Sequence, residues 1–111
     1  MARHEMIAGD TLPDFVVQLY GSDGQPADIT NADDLTFVMC PADDLDTAKV
    51  RDNTHATIVT PGSGVVSYNF QAQDTDVVGT FLVQWVVHYP GGAHQTYPVR
   101  GYDVVVLREA L

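Results

Sequence analysis

His88 and His94 bracket the turn Tyr89-Pro90-Gly91-Gly92-Ala93, a spacing that lets two imidazoles face each other across a hairpin. Imidazole nitrogens are good zinc ligands, but a structural zinc site takes four ligands and a catalytic one takes three. No cysteine stands near the pair, and Asp76 or Asp103 would have to be brought in by the fold. Two surface histidines are the simpler reading, and His4 and His55 fall in no ligand pattern at all. The carboxylates are more numerous: Asp43, Asp44 and Asp46 crowd one stretch, Asp74 and Asp76 another. An EF-hand calcium loop sets oxygen ligands at fixed offsets and closes on a bidentate glutamate. Neither stretch has that spacing, so both read as solvated loop acids rather than as a calcium site.

Nucleophiles fare no better. Ser63 lies in Pro61-Gly62-Ser63-Gly64, which lacks the Gly-x-Ser-x-Gly spacing and leads into a strand rather than a helix. No Gly-x-Gly-x-x-Gly or Walker string is present to cradle a phosphate. A glycosidase needs two placed carboxylates, but among fifteen acidic residues some pair is always close, so that criterion is empty here. The expectation is a protein that is not an enzyme, with no catalytic residues, no cofactor and no metal.

The bulk properties narrow the partners. The chain has 111 residues, one domain's worth, and a net charge of −10 from fifteen acids and five bases, of which Lys49 is the one lysine. Nucleic-acid binding depends on Lys and Arg neutralising phosphates, and anionic membranes attract basic segments, so neither nucleic acid nor membrane is an expected partner. Cys40 is the single cysteine, which excludes an intrachain disulfide. It sits in the apolar run 35–40 and is expected to be a buried, inert thiol. The N-terminus has no apolar core of a signal peptide, so synthesis in the cytoplasm without a leader is expected.

The elements that would position these residues are strands. Short runs alternate apolar and polar residues, punctuated by Gly, Pro, Asp and Asn. Residues 15–20 put Phe15, Val17 and Leu19 on one face, and residues 35–40 put Leu35, Phe37 and Met39 there. Residues 54–60 and 65–70 follow, the latter with Val66, Tyr68 and Phe70 in phase. Residues 81–89 form the longest run, and its face of Phe81, Val83, Trp85, Val87 and Tyr89 belongs at the centre of a sheet facing the core. Residues 95–99 and 102–107 complete the set, while 42–50 reads as a helical turn or open loop. The pattern predicts an all-β, immunoglobulin-like, two-sheet antiparallel sandwich of seven to eight short strands over residues 9–108. Residues 1–8 are expected to form an N-terminal arm or first edge strand, and 109–111 a C-terminal tail.

The order of the motifs carries a resemblance. Gly9-Asp10-Thr11-Leu12-Pro13 is followed by Asp23-Gly24-Gln25-Pro26-Ala27-Asp28-Ile29-Thr30 and the strand from Leu35. Gly64-Val65-Val66-Ser67-Tyr68, Gly79-Thr80-Phe81 and Tyr97-Pro98 complete the series. Over residues 7–107 this resembles the immunoglobulin-like domain at the N-terminus of upper baseplate proteins of tailed phages and of related small virion proteins. Phe81 stands where that family has a tyrosine. Baseplate proteins also continue into further domains, whereas this chain stops at Leu111. The resemblance implies a structural protein of the virion: an outer capsid decoration protein, a head–tail completion protein or a small tail or baseplate component. Its partners would be other capsid or tail subunits, with a homo-oligomer as a further possibility. Met6 and Ile7 would anchor the arm on a neighbour, and Tyr20, Tyr97 and Tyr102 are further candidate interface residues. The alternative reading is a carbohydrate- or receptor-binding sandwich module, resting on the tyrosines.

Overall fold

The computed structural model describes residues 2–111. Nine strands run in chain order: β1 Arg3–Ile7, β2 Phe15–Gln18, β3 Asp34–Pro41, β4 Val50–Asp52, β5 Ala56–Thr60, β6 Val65–Tyr68, β7 Gly79–His88, β8 His94–Tyr97 and β9 Asp103–Arg108. The strand beyond the expected eight is β4, at the end of the stretch read as a turn or loop. Its three residues pair with Phe37, Val38 and Met39 of β3, too short a run to show alternation in the sequence.

The smaller sheet has the order β2-β6-β5 and the larger β1-β9-β7-β3-β4, with β8 also paired to β7. This is the immunoglobulin-like sandwich, with consecutive strands divided between two sheets. β7 is central, as its inward face of Phe81, Val83, Trp85 and Val87 demands; Tyr89, expected to extend that face, lies just beyond the strand and is partly buried. β8 pairs with its C-terminal half and β9 with its N-terminal half. Between them the chain loops out: Tyr97 faces Trp85 and Asp103 faces Val83, so residues 98–102 oppose Gln84 alone.

Of the two forms expected for the N-terminus, residues 3–7 take the edge strand and do not project as an arm. The antiparallel expectation is corrected at one place, since β1 runs parallel to β9 in an otherwise antiparallel assembly. Alternation explains the strand: His4 and Met6 turn inward while Arg3, Glu5 and Ile7 turn out. Met1, the first residue of the expected arm, lies outside the described residues.

The core is aromatic at its centre. Phe37 from the larger sheet stacks on Tyr68 from the smaller, ring centroids 3.9 Å apart, and Trp85 meets Phe37 edge-on at 5.0 Å. Such pairs add about 0.5–1.5 kcal/mol each beyond their burial. Gly64 closes the predicted Pro61-to-Gly64 turn. Its φ is +69°, and a Cβ there would lie 2.6 Å from the Ala27 carbonyl oxygen, so glycine is required twice over.

Candidate interaction surfaces

The expected chemistry-bearing residues do not converge. His88 and His94 do face each other, ring centroids 6.2 Å apart, but His88 Nε2 bonds the Thr36 hydroxyl at 2.9 Å. Among the described residues no three His, Cys, Asp or Glu side chains come together in a way that could hold a metal ion. Asp43 and Lys49 line a hollow of about 570 Å³, beside Val77 and Val78.

Asp74, expected to be a solvated loop acid, is buried, and so is Asp103, while Asp52 is tied up in hydrogen bonds. Asp74 is buried and accepts a 2.6 Å hydrogen bond from the Tyr68 hydroxyl and a 2.9 Å bond from the Gln71 amide. Burial pushes the Tyr68 hydroxyl's pKa well above its ordinary value, and the Asp74 carboxylate pushes it further. Asp52, 3.3 Å from the same hydroxyl, is raised by burial. Hydrogen bonds from the His55 ring and the His55 and Thr54 amides outweigh this and hold its carboxyl below the usual range. Asp103 is buried at the start of β9, where it accepts from Trp85 Nε1 at 2.9 Å and from the Ala2 amide at 2.7 Å. Its two donors are neutral, and among the described residues no cation pairs with it. These are bonds that hold β1, β7, β9 and the 71–75 turn in place.

Of the five candidate interface residues, two are core. Met6 is 7% exposed and lies opposite Leu107, so it packs inward from β1. Tyr97 is 4% exposed because the hairpin register places it beside Trp85 on the inward face of β8. Ile7 is exposed at the end of β1. Tyr20 is 48% exposed at the end of β2, and Tyr102 is half-buried on the outer face of the larger sheet. The tyrosines that remain available therefore lie on opposite sheets and form no shared aromatic platform. Cys40, expected to be buried, is half-buried on that same outer face, since it is one residue out of phase with Met39.

The structure does bring Tyr20 into a site. In β2, Phe15, Val17 and Leu19 face β6: the register pairs Val17 with Val66, and the Leu19 amide donates to the Gly64 carbonyl at 2.8 Å. Backbone groups alternate between the two edges of a strand, so the N–H and C=O groups of Val16, Gln18 and Tyr20 point to the free edge. Alongside that edge runs a groove of about 320 Å³ lined by Val16, Gln18, Tyr20, Ala2, Pro98 and the wall at Asp103. It continues past Tyr20 and Pro98 into a second hollow of about 200 Å³ that ends at Val99 and Arg100.

Sandwich proteins guard free edges with charge, brevity, proline or bulges. β1 carries Arg3 and Glu5, with Arg108 paired to Glu5 beside it. β4 has three residues, β5 carries a bulge between Ile58 and Thr60, and β8 stops at Pro98. β2 is short, four residues entered from Pro13, but it carries neither charge nor bulge: its outward side chains are Val16, Gln18 and Tyr20, all uncharged. Val16 and Pro98 of this site carry no signal in the sequence, since their role depends on which edge of β2 stays open. No family model matches the chain, and a search of characterised proteins finds no significant match.

Proposed function

We propose that this protein is a non-enzymatic structural subunit of a tailed-phage particle, a decoration, head–tail or baseplate component that works through protein–protein contacts. The open β2 edge is the observation that carries the reading. An unpaired, uncharged strand beside an apolar groove is suited to receiving another protein's extended segment, which gains affinity from main-chain hydrogen bonds and specificity from alternate side chains. The virion as the setting is supported by the ordered motif series, whose turn strings fall where this sandwich turns: Asp23-Gly24 between Tyr20 and Pro26, and Gly64 at the entry to β6. The acidic charge supports an outer position, where it keeps particles apart and stays clear of the packaged genome.

The test is quantitative mass spectrometry of particles purified on a density gradient and washed in high salt. The expected result is this protein at a fixed ratio to the major structural subunits. Its absence from washed, intact particles would refute the assignment. The carbohydrate-binding alternative has no comparable support, because Tyr97 is buried and Tyr20 and Tyr102 are on different sheets.

A further inference from the structure

The groove beside β2 is not uniform in charge. Its wall includes the buried Asp103 carboxylate. Past Tyr20 and Pro98 it reaches Arg100, which is exposed. Among the described residues Arg3, Lys49 and Arg108 are paired to acids, whereas Arg51 and Arg100 are not. Arg51 lies on β4, at the far edge of the larger sheet, so Arg100 is the unpaired base of this groove. The hollow around it is lined by Gly21, Ser22, Gly24 and Val99, with no acid among them. Asp23, in the same turn, directs its carboxylate onto the Gln25 amide at 3.0 Å. In a molecule of net charge −10, an approaching acid is repelled over most of the surface and attracted here.

The edge also fixes the pattern of a bound strand. Val16, Gln18 and Tyr20 turn their N–H and C=O groups to the free edge and their side chains outward, while Val17 and Leu19 are buried. Directly opposed residues share a face of the sheet. The bound residues opposite Val17 and Leu19 therefore point into the groove, toward Ala2 and Pro98, and must be apolar. An acid at either position would face the Asp103 carboxylate. The residues opposite Val16, Gln18 and Tyr20 point to solvent. Antiparallel pairing is more stable per residue than parallel pairing. It places the upstream end of the bound strand at Tyr20, so the chain enters past Arg100. At that end a carboxylate comes from a side chain, because the terminal carboxylate of the bound strand lies at the other.

We infer that the segment received by the β2 edge carries an acidic side chain that pairs with Arg100, just upstream of a stretch in which alternate residues are apolar. This rests on the reading of β2 as a receiving edge and names what that edge receives. The test is titration of the isotope-labelled chain with capped hexapeptides, followed through its amide shifts by two-dimensional NMR. The peptides are Glu-Thr-Val-Thr-Val-Thr and its counterparts with Gln or Lys in first place. The Val16, Gln18 and Tyr20 amides are expected to shift, with the Glu peptide bound about three- to fivefold more tightly than the Gln peptide, the upper range of an exposed ion pair. High salt is expected to shrink that preference. Arg100→Glu is expected to reverse it, so that the Lys peptide binds more tightly than the Glu peptide. Equal affinity for the three peptides, with those amides still shifting, would overturn the acidic assignment and leave the receiving edge standing. No shift of those amides at millimolar peptide would overturn both.

Discussion

The bond between Trp85 and Asp103 can be measured by a double-mutant cycle. Asp103→Ala removes the acceptor from an indole N–H that has no exposed surface and cannot turn to water. An unsatisfied buried donor costs about 1–3 kcal/mol, and a hydrogen bond to a charged group contributes about 1.5–3 kcal/mol net. The Ala2 amide, which borders the groove, can regain a partner from solvent. A loss of about 3 kcal/mol follows, which for a domain of this size lowers Tm by about 12 °C. Trp85→Phe removes the donor and leaves a void in the core whether or not Asp103 is present, so the void cancels in the cycle. The two single losses are therefore expected to exceed the double-mutant loss by about 2 kcal/mol. Urea unfolding followed by far-ultraviolet circular dichroism is the assay, because the chain's one tryptophan is being replaced. Additivity within about 0.5 kcal/mol would show that the bond couples nothing and that Asp103 acts only through β9.

Other outcomes follow from the same geometry. Tyr68→Phe strips a 2.6 Å donor from buried Asp74 and is expected to cost about 1.5–3 kcal/mol in urea unfolding; wild-type stability would contradict that role. His4 stacks between Phe15 and Phe70, its Nε2 is buried without a partner, and burial holds its pKa below the ordinary 6.5 against the opposing pull of the Pro13 carbonyl. The unfolded chain then binds the proton more readily, so this contribution is complete above 6.5 and is lost as the pH falls from there toward the folded-state pKa. A stability–pH curve for His4→Phe is expected to be flatter over that window, and an identical slope would refute the assignment. Val17→Pro deletes a ladder bond to β6 and is expected to cost about 3 kcal/mol or more, whereas Gln18→Pro spares the ladder, removing a free-edge amide and the side-chain bonds to the Ser63 carbonyl and the Tyr20 hydroxyl, and is expected to cost about 1–2 kcal/mol. Equal thermal shifts would mean that β2 is paired along both edges.

The sandwich is legible in the sequence wherever alternation is strong. Phe81, Val83, Trp85 and Val87 announce the central strand, and each is buried. Tyr97 is buried rather than available to a partner, and the signal for this lies in the hairpin. Pairing His88 with His94 across the turn fixes Trp85 opposite Tyr97, and opposed residues share a face. Asp103 is likewise in phase with Val105 and Leu107, so alternation alone marks it as an inward residue. The parallel β1–β9 pair is not legible, since its register joins residues about a hundred positions apart and β1 offers only His4 and Met6 as inward signals. Nor is the open edge: which strand lacks a neighbour is a property of the closed sandwich, and the local sequence of β2 is the same either way.

The central claim is that this protein joins its particle through the free edge of β2, and one measurement addresses it directly. Phage propagated with Gln18→Pro in place of the wild-type gene are purified, and the copy number of the variant per particle is compared with wild type. The account expects a variant that is folded and soluble in the lysate but depleted from washed particles. A folded Gln18→Pro protein present at the wild-type copy number would contradict it.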